Sequence, residues 1–186
     1  FKPDEKIFGK GCAFKPGRLL KMARSKAYLF GGVEIRWTCA PELIKDDTPE
    51  KAVFHFPGGL KDFMATRTEG LTLVTKDAFA GKVVKDSGHG SLEWAVVWIG
   101  DEDGFVNSYC NTVPTPDGGT HEACLRAGLT KALKTYGELT GNKRADRITA
   151  EDVFSTCAAM LSVFIREPEF QGQTKDKLAT QEATRI

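Results

Sequence analysis

The sequence predicts an α+β fold in which antiparallel hairpins are combined with a small number of helices. Short runs rich in β-branched and aromatic residues return on themselves through polar turns, and two longer stretches carry apolar residues at helical spacing. Tandem hairpins with few helices argue against a doubly wound nucleotide-binding fold. With 186 residues, of which 41% are hydrophobic and 27% charged, the chain is long enough to build a substantial core.

Composition argues against several classes of protein. The formal net charge of +1 does not by itself indicate a nucleic-acid partner. No apolar stretch is long enough to span a bilayer, and no signal-peptide pattern opens the chain. The five cysteines are scattered without a CxxC pair, which predicts reduced thiols rather than disulfides or a zinc site. Because the chain begins with Phe1 and not with Met, we expect it to be a fragment of a longer protein.

The first two elements are an extended segment at residues 1–8 and a helix at residues 18–30. Apolar residues of the helix recur at helical spacing. Five basic side chains and no acid lie between residues 15 and 26. Such a run is most simply a solvated face, and the alternative is a surface that faces a polyanion.

Strands then alternate with short connections. We expect residues 105–112 to pair back antiparallel after a tight turn at residues 101–104, and the apolar strand at residues 92–99 to be central. The predicted strands span residues 33–39, 52–56, 79–84, 92–99 and 105–112, with a short helix at residues 60–67.

A stiff turn precedes the longest predicted helix. Two prolines and the pair Gly118-Gly119 shape the connection, and Thr120 is predicted to cap a helix that ends at about residue 136 or 139. Its buried stripe is predicted to comprise Leu125, Leu129, Ala132, Leu133 and Tyr136. His121 could act as a base, but no Ser or Cys nucleophile with an orienting acid is identifiable nearby, which favours a structural or coupling role.

The chain closes with a basic loop at residues 141–147, a capping box formed by Thr149 and Asp152, and an apolar strand at residues 157–165. Pro168 breaks the strand and Gly172 permits a tight turn. Gln173, Thr174 and Lys175 then stand at a possible helix N-terminus, where an amide, a hydroxyl and an ammonium suit an anion. A solvated loop with a capped helix is the commoner alternative for such residues.

Four motifs in this order resemble the transducer domain of type IIA DNA topoisomerase B subunits. They are Tyr109-Cys110-Asn111, Gly118-Gly119-Thr120-His121-Glu122, Leu161-Ser162-Val163 and the stretch at residues 170–178. The resemblance covers essentially the whole chain. In the N-terminal half, residues 1–8, 23–27 and 32–35 resemble the topoisomerase IV branch of the family more than the gyrase branch.

The resemblance implies a fold like domain 2 of ribosomal protein S5, with a mixed or antiparallel sheet, helices on one face and a left-handed βαβ crossover. It implies a single transducer domain over residues 1–186. The ATP site, its Mg²⁺ ligand and the catalytic glutamate belong in this family to a preceding GHKL-type domain, and a TOPRIM domain follows. Both are expected to be absent here, so the fragment should have no ATPase activity of its own and no bound cofactor or metal.

Site residues and partners are likewise carried over from the family. Gln173, Thr174 and Lys175 are expected to reach the ATP γ-phosphate, with Lys175 the main sensor, and Arg126 to line the cavity for the transported DNA duplex; the basic residues 18–26 are a weaker candidate. Coupling or structural roles fall to Gly118, Gly119, Thr120 and His121. The implied partners are DNA without sequence preference, the A subunit of topoisomerase IV and a second B subunit, in the bacterial cytoplasm and without a membrane. The alternatives are the B subunit of gyrase, a MutL- or Hsp90-type clamp domain, and a freestanding structural or RNA-binding domain.

Overall fold

The computed structural model describes residues 3–85, 90–181 and 183. The chain divides into two compact units, Phe1–Gly59 and Leu60–Ile186. The single transducer domain expected from the family resemblance spans both units. The helices and strands of each unit lie within that unit. In the sequence, the boundary is marked by the turn residues Pro57-Gly58-Gly59.

The first unit packs one helix on a hairpin. Helices α1 (Glu5–Phe8) and α2 (Pro16–Leu29) precede strands β1 (Glu34–Thr38) and β2 (Lys51–His55), which pair antiparallel. The Tyr28 ring of α2 stacks on Phe56, with ring centroids 3.6 Å apart. The predicted helix and hairpin are therefore confirmed. The predicted extended segment is wrong at residues 5–8, because the Asp4 carboxylate accepts a hydrogen bond from the Lys6 amide and caps a helical turn.

The second unit is built on a mixed five-stranded sheet. Its strands lie in the order β3-β4-β7-β5-β6, and every neighbouring pair is antiparallel except β5 and β7, which are parallel. This arrangement confirms the predicted α+β class with a mixed sheet. The strands are β3 (Phe79–Lys85), β4 (Gly90–Trp98), β5 (Phe105–Cys110), β6 (Val113–Pro114) and β7 (Cys157–Phe164).

Strand β5 does not pair with β4, so that prediction is wrong. Strand β7 lies between them, and seven of its eight residues are buried. A continuously apolar strand of this kind is stable at the centre of a sheet, where both of its faces are covered. The turn before β5 passes the end of β7 closely, since the Gly104 amide donates to the Ser155 carbonyl and a Cβ on Gly104 would collide with the Cys157 backbone.

Helices cover both faces of this sheet. Helix α3 (Leu60–Arg67) precedes it in the chain, whereas α4 (Thr120–Leu139) and α5 (Ala150–Phe154) connect β6 to β7. Leu125, Leu129 and Leu133 of α4 pack on a core that includes Val96 of β4. The side chain of Glu93 points to the opposite face, since side chains alternate along a strand, and it accepts a hydrogen bond from the Leu60 amide at the start of α3. Helices α4 and α5 thus share one face as expected, and α3 adds a second layer.

Two features of α4 and α5 refine the sequence predictions. Tyr136 is 66% exposed and is not part of the buried stripe. Gly137 instead faces the 3₁₀ helix Lys143–Arg147, the predicted basic loop, where it packs directly on Ala145. The predicted capping box of Thr149 and Asp152 is present at the start of α5.

Candidate functional site

The stretch at residues 170–178 forms a hairpin. Strands β8 (Phe170–Gln171) and β9 (Lys177–Leu178) pair antiparallel, and Gln173, Thr174 and Lys175 are exposed at the tip. The predicted helix start is therefore wrong, and no helix dipole contributes here. The backbone conformation explains why no helix begins here. Gly172 and Lys175 have φ values of 83° and 62°, in the left-handed region that does not continue a right-handed helix.

The hairpin tip offers a cation and two neutral polar groups to solvent. The Lys175 ammonium lies 5.7 Å from the centroid of the Phe170 ring, and no carboxylate in the described part of the chain forms an ion pair with it. An exposed ammonium beside an amide and a hydroxyl can donate several hydrogen bonds to an anion. These three side chains therefore fit a phosphate group chemically without the helix that the sequence predicted.

The hairpin is tied by backbone hydrogen bonds to the turn before α4. The Asp117 amide donates to the Asp176 carbonyl at 2.9 Å, and the Leu178 amide donates to the Gly118 carbonyl at 3.0 Å. Gly119, with φ of 139°, approaches Leu178 so closely that a Cβ there would collide with its backbone. The structure thus brings together two of the stretches that carry the family resemblance.

Thr120 does not cap α4, as the sequence predicted, but bonds to the same C-terminal segment. Gly119 occupies the cap position, and the Thr120 hydroxyl donates to the Thr180 carbonyl at 2.7 Å. The Thr180 hydroxyl in turn accepts from the Glu169 amide at 2.7 Å. The start of α4 is therefore bonded to the segment after β9, and that segment is in turn bonded to Glu169 before β8.

His121 is buried behind this junction. Its Nε2 lies 3.1 Å from the Thr115 hydroxyl, which is 2.8 Å from the Ser108 hydroxyl, and its Nδ1 has no partner among the described residues. Burial lowers the pKa of His121 to about 4, so the imidazole is neutral near pH 7. Burial also raises the pKa of the Cys110 thiol to about 11 and that of Cys157 to about 12, which leaves neither cysteine as a thiolate nucleophile.

A cavity of about 320 Å³ lies beside His121, between α4 and the sheet. Its walls are apolar side chains, among them Leu92, Trp94 and Leu129. Such a lining does not suit a triphosphate or a DNA backbone, because burying unpaired charge against apolar groups is costly. The polar candidates lie elsewhere.

Arg126 is held in place on the flank of α4. Its Nε donates to Oε1 of Glu122 at 3.0 Å, and its Nη2 lies 2.9 Å from the same oxygen in an ion pair. Its Cζ lies 4.5 Å from the centroid of the Phe154 ring. The Arg126 side chain is 39% exposed, so it is partly open to solvent. Glu122 was not predicted as its partner, although a spacing of four residues is typical of a helical ion pair.

Neither a metal site nor a membrane-spanning helix is present among the described residues. Among the described residues, no group of three or more His, Cys, Asp or Glu side chains could hold a metal ion. No helix in that part of the chain combines the length and apolar character needed to cross a membrane. The five cysteines are free thiols.

A family model described as DNA gyrase B matches residues 59–186. The chain belongs to the DNA gyrase B family. The match begins at the boundary between the two units and covers all of the second unit. The family assignment therefore rests on the unit that contains the Lys175 hairpin, His121 and Arg126.

Curated relatives of this DNA gyrase B family member include the B subunits of two topoisomerase 4 enzymes. The B subunit of DNA topoisomerase 4 from Caulobacter vibrioides is 59% identical over 190 residues, covering 100% of this chain and 27% of the relative. The protein of the same name from Escherichia coli is 34% identical, covering 98% of this chain and 28% of the relative. The chain thus spans little more than a quarter of either protein.

Solved structures of the DNA gyrase B family share the fold. The 43K ATPase domain of Thermus thermophilus gyrase B, solved with an aminocoumarin, matches with a TM-score of 0.80 and 26% identity over 100% of this chain and 48% of that one. The topoisomerase IV ATP-binding domain of Francisella tularensis, solved with a small-molecule inhibitor, matches with a TM-score of 0.76 and 27% identity. It covers 96% of this chain and 46% of that one.

Proposed function

We propose that this chain is the transducer region of a type IIA DNA topoisomerase B subunit of the topoisomerase IV type. In this proposal it senses bound ATP through Gln173, Thr174 and Lys175 and transmits that state to the gate through which DNA passes. The observation that carries it is the pair of backbone hydrogen bonds from the Lys175 hairpin to Asp117 and Gly118, directly before α4.

The hairpin tip supplies the sensing chemistry. When ATP is bound to an upstream ATPase domain, its γ-phosphate provides negative charge and several hydrogen-bond acceptors. Lys175 and Gln173 gain more from that group than from ADP, because charge-assisted hydrogen bonds are about twice as strong as neutral ones. Only such a differential contact can shift a conformational equilibrium. The donor set here suits phosphate oxygens, whereas Mg²⁺ and the remaining ATP contacts are assigned to the upstream domain.

The transmitting part is the turn at residues 117–120 with helix α4. A displacement of β9 acts on this turn through main-chain bonds, which do not depend on side-chain identity. The Thr120 hydroxyl adds a third bond to the segment after β9. We assign Gly118, Gly119, Thr120 and His121 to this coupling role, and the outcome is movement of the N-terminal gate in time with the passage of one duplex through another.

Arg126 is assigned to the transported DNA. The Arg126 side chain is partly exposed, and a guanidinium can contact a phosphate. Such contacts are independent of sequence and weaken steeply with salt. The proposed partners of the full-length protein are therefore DNA, the A subunit of topoisomerase IV and a second B subunit, in the bacterial cytoplasm. A MutL- or Hsp90-type clamp has no support among the relatives named above.

The test of sensing is Lys175→Ala in the full-length protein, reconstituted with the A subunit. We expect ATP-dependent decatenation of linked DNA circles to be lost while the thermal unfolding midpoint stays unchanged, because the side chain is exposed. Lys177→Ala is the matched control: it removes an exposed lysine two residues away, on β9, and should leave decatenation intact. Normal ATP hydrolysis and decatenation by the Lys175→Ala enzyme would refute the proposal.

The same reconstituted enzyme tests the branch of the family. A topoisomerase IV decatenates and relaxes DNA, whereas a gyrase introduces negative supercoils. The 59% identity to a topoisomerase 4 protein supports the first expectation. ATP-dependent supercoiling of a relaxed plasmid would assign the chain to gyrase instead.

A further inference from the structure

Glu122 stands between the two regions to which the proposed function assigns ATP sensing and DNA contact. Its Oε1 accepts a hydrogen bond from the Arg126 Nε and forms an ion pair with the Arg126 Nη2. Its Oε2 lies 3.5 Å from the Ser108 hydroxyl and rests against Gly118, where a Cβ would approach it to 2.6 Å. The Glu122 side chain is only 17% exposed, so its position is set by these neighbours and not by solvent.

Gly118 connects Glu122 to the hairpin. The Gly118 carbonyl accepts from the Leu178 amide, and the adjacent Asp117 amide donates to Asp176 beside Lys175. A shift of the hairpin therefore moves the backbone on which the Glu122 carboxylate rests. Glu122 is therefore the single residue that lies between the Gly118 backbone and the guanidinium of Arg126.

Arg126 depends on Glu122 for its orientation. Glu122 engages the Nε and Nη2 edge of the guanidinium, and the Phe154 ring lies against its plane. These contacts fix a long side chain that would otherwise sample several rotamers. The remaining N–H groups of the guanidinium have no partner among these contacts, and the side chain is 39% exposed.

We propose that Glu122 is a positioning residue that sets the orientation of Arg126 toward DNA phosphate and makes it depend on the position of the Lys175 hairpin. Glu122 itself touches neither ATP nor DNA in this scheme. The inference rests on the proposed roles of Lys175 and Arg126, and it adds the residue that connects them.

The experiment is a double-mutant cycle in the full-length protein, reconstituted with the A subunit. The measured quantities are the increase in ATP hydrolysis caused by linear duplex DNA and the DNA concentration that gives half of this increase, each at several salt concentrations. We expect Glu122→Gln to reduce this increase by roughly 3- to 30-fold, the range of residues that modulate coupling without touching a ligand. The double variant with Arg126→Gln should equal Arg126→Gln alone, because Glu122 acts through that side chain.

Salt dependence separates positioning from simple damage to the fold. Loss of one phosphate contact lowers the slope of log affinity against log salt by about 0.9. Glu122→Gln should produce the same loss of slope as Arg126→Gln, whereas a purely structural defect would leave the slope unchanged. Glu138→Gln, which removes an exposed carboxylate from the last turn of α4, is the matched control and should change neither quantity.

The outcomes distinguish this inference from the proposed function. Additive effects of the two substitutions in the double variant would overturn the role of Glu122. Normal DNA stimulation in Glu122→Gln, together with reduced stimulation in Arg126→Gln, would also overturn it. The Lys175→Ala variant still tests ATP sensing independently. Normal stimulation in Arg126→Gln would overturn both the DNA contact and this inference. If Glu122→Gln fails to fold, Glu122→Asp replaces it in the experiment. This variant keeps the negative charge but has a shorter side chain, so it should also lose the DNA-stimulated increase in ATP hydrolysis.

Discussion

At the scale of single residues, His121 shows how burial sets chemistry. Its ring is 2% exposed, and the neighbouring groups are hydroxyls and apolar side chains. Desolvation alone accounts for the lowered pKa, so the neutral imidazole is the form compatible with the fold. A protonated His121 would place an unpaired charge inside the unit.

This burial predicts a pH dependence of stability. The pKa of His121 is about 4 in the folded chain and close to its ordinary value of 6.5 in the unfolded chain. Between these values the unfolded state binds the proton and the folded state does not, so the free energy of unfolding falls as pH decreases from about 6.5 to 4. The full loss is about 3 kcal/mol, from the size of the shift.

Urea unfolding of the chain at pH 7 and pH 4.5 measures the effect, with His121→Gln as the reference. The difference between the two proteins isolates the histidine, because carboxylates titrate alike in both. An equal pH dependence of the two proteins would show that His121 does not carry a lowered pKa.

Residue identities were easier to predict from the sequence than residue partners. The motifs singled out Lys175, His121 and Arg126, and the structure places the first on an exposed tip, the second in the core and the third on a helix flank. The partner of the Thr120 hydroxyl lies 60 residues away at Thr180. Local spacing contains no information about such a bond, so the capping role was the natural but incorrect expectation.

At the scale of elements, the junction between β9 and α4 depends on Gly119. Its φ of 139° is a conformation that other residues adopt only with strain, and a Cβ would overlap the Leu178 backbone. We expect Gly119→Ala to lower the free energy of unfolding by roughly 3 kcal/mol or more, through backbone strain and overpacking together.

Gly128→Ala is the matched control within α4. A Cβ there meets nothing within 4 Å, and alanine favours a helix interior over glycine, so the variant should gain roughly 0.5–1 kcal/mol. Thermal and urea unfolding of both variants give the comparison. A Gly119→Ala protein as stable as the unmodified chain would mean that the junction is not tightly packed.

Periodicity predicted most elements and few of their pairings. Helix α3 matches its predicted bounds, and strand β7 was recognised as apolar. The insertion of β7 between β4 and β5 could not be predicted from adjacent segments, because the pairing spans about 50 residues of chain. At the Lys175 hairpin, the polar residues are as typical of a helix start as of a hairpin tip. The two strands that form the hairpin have only two residues each, too few to give a recognisable pattern in the sequence.

At the scale of the whole molecule, the two units differ in the size of the sheet and in the number of helices that form their cores. The second unit has a five-stranded sheet with helices on both faces, whereas the first has a two-stranded sheet and one long helix. A two-stranded sheet is marginal by itself, and units of about 60 residues bury the smallest share of their surface. We expect residues 60–186 to fold independently and residues 1–59 not to do so.

Separate expression of the two segments tests this expectation. Residues 60–186 should show a cooperative thermal transition by circular dichroism, and residues 1–59 a gradual one. A non-cooperative profile for residues 60–186 would mean that its core depends on the rest of the protein. The single domain was expected from the family resemblance, and Pro57-Gly58-Gly59 is equally typical of an ordinary turn.

The bonds between the hairpin and the α4 turn have a consequence for how such a protein can diverge. Asp117, Gly118, Asp176 and Leu178 contribute only main-chain groups to them. Under the proposed function, substitution at residues 173–175 would therefore change which ligand is recognised while leaving these main-chain bonds in place. Under the proposed function, the side chains at the tip determine which ligand is recognised and the main chain behind them transmits the signal, so the two properties can change independently in evolution.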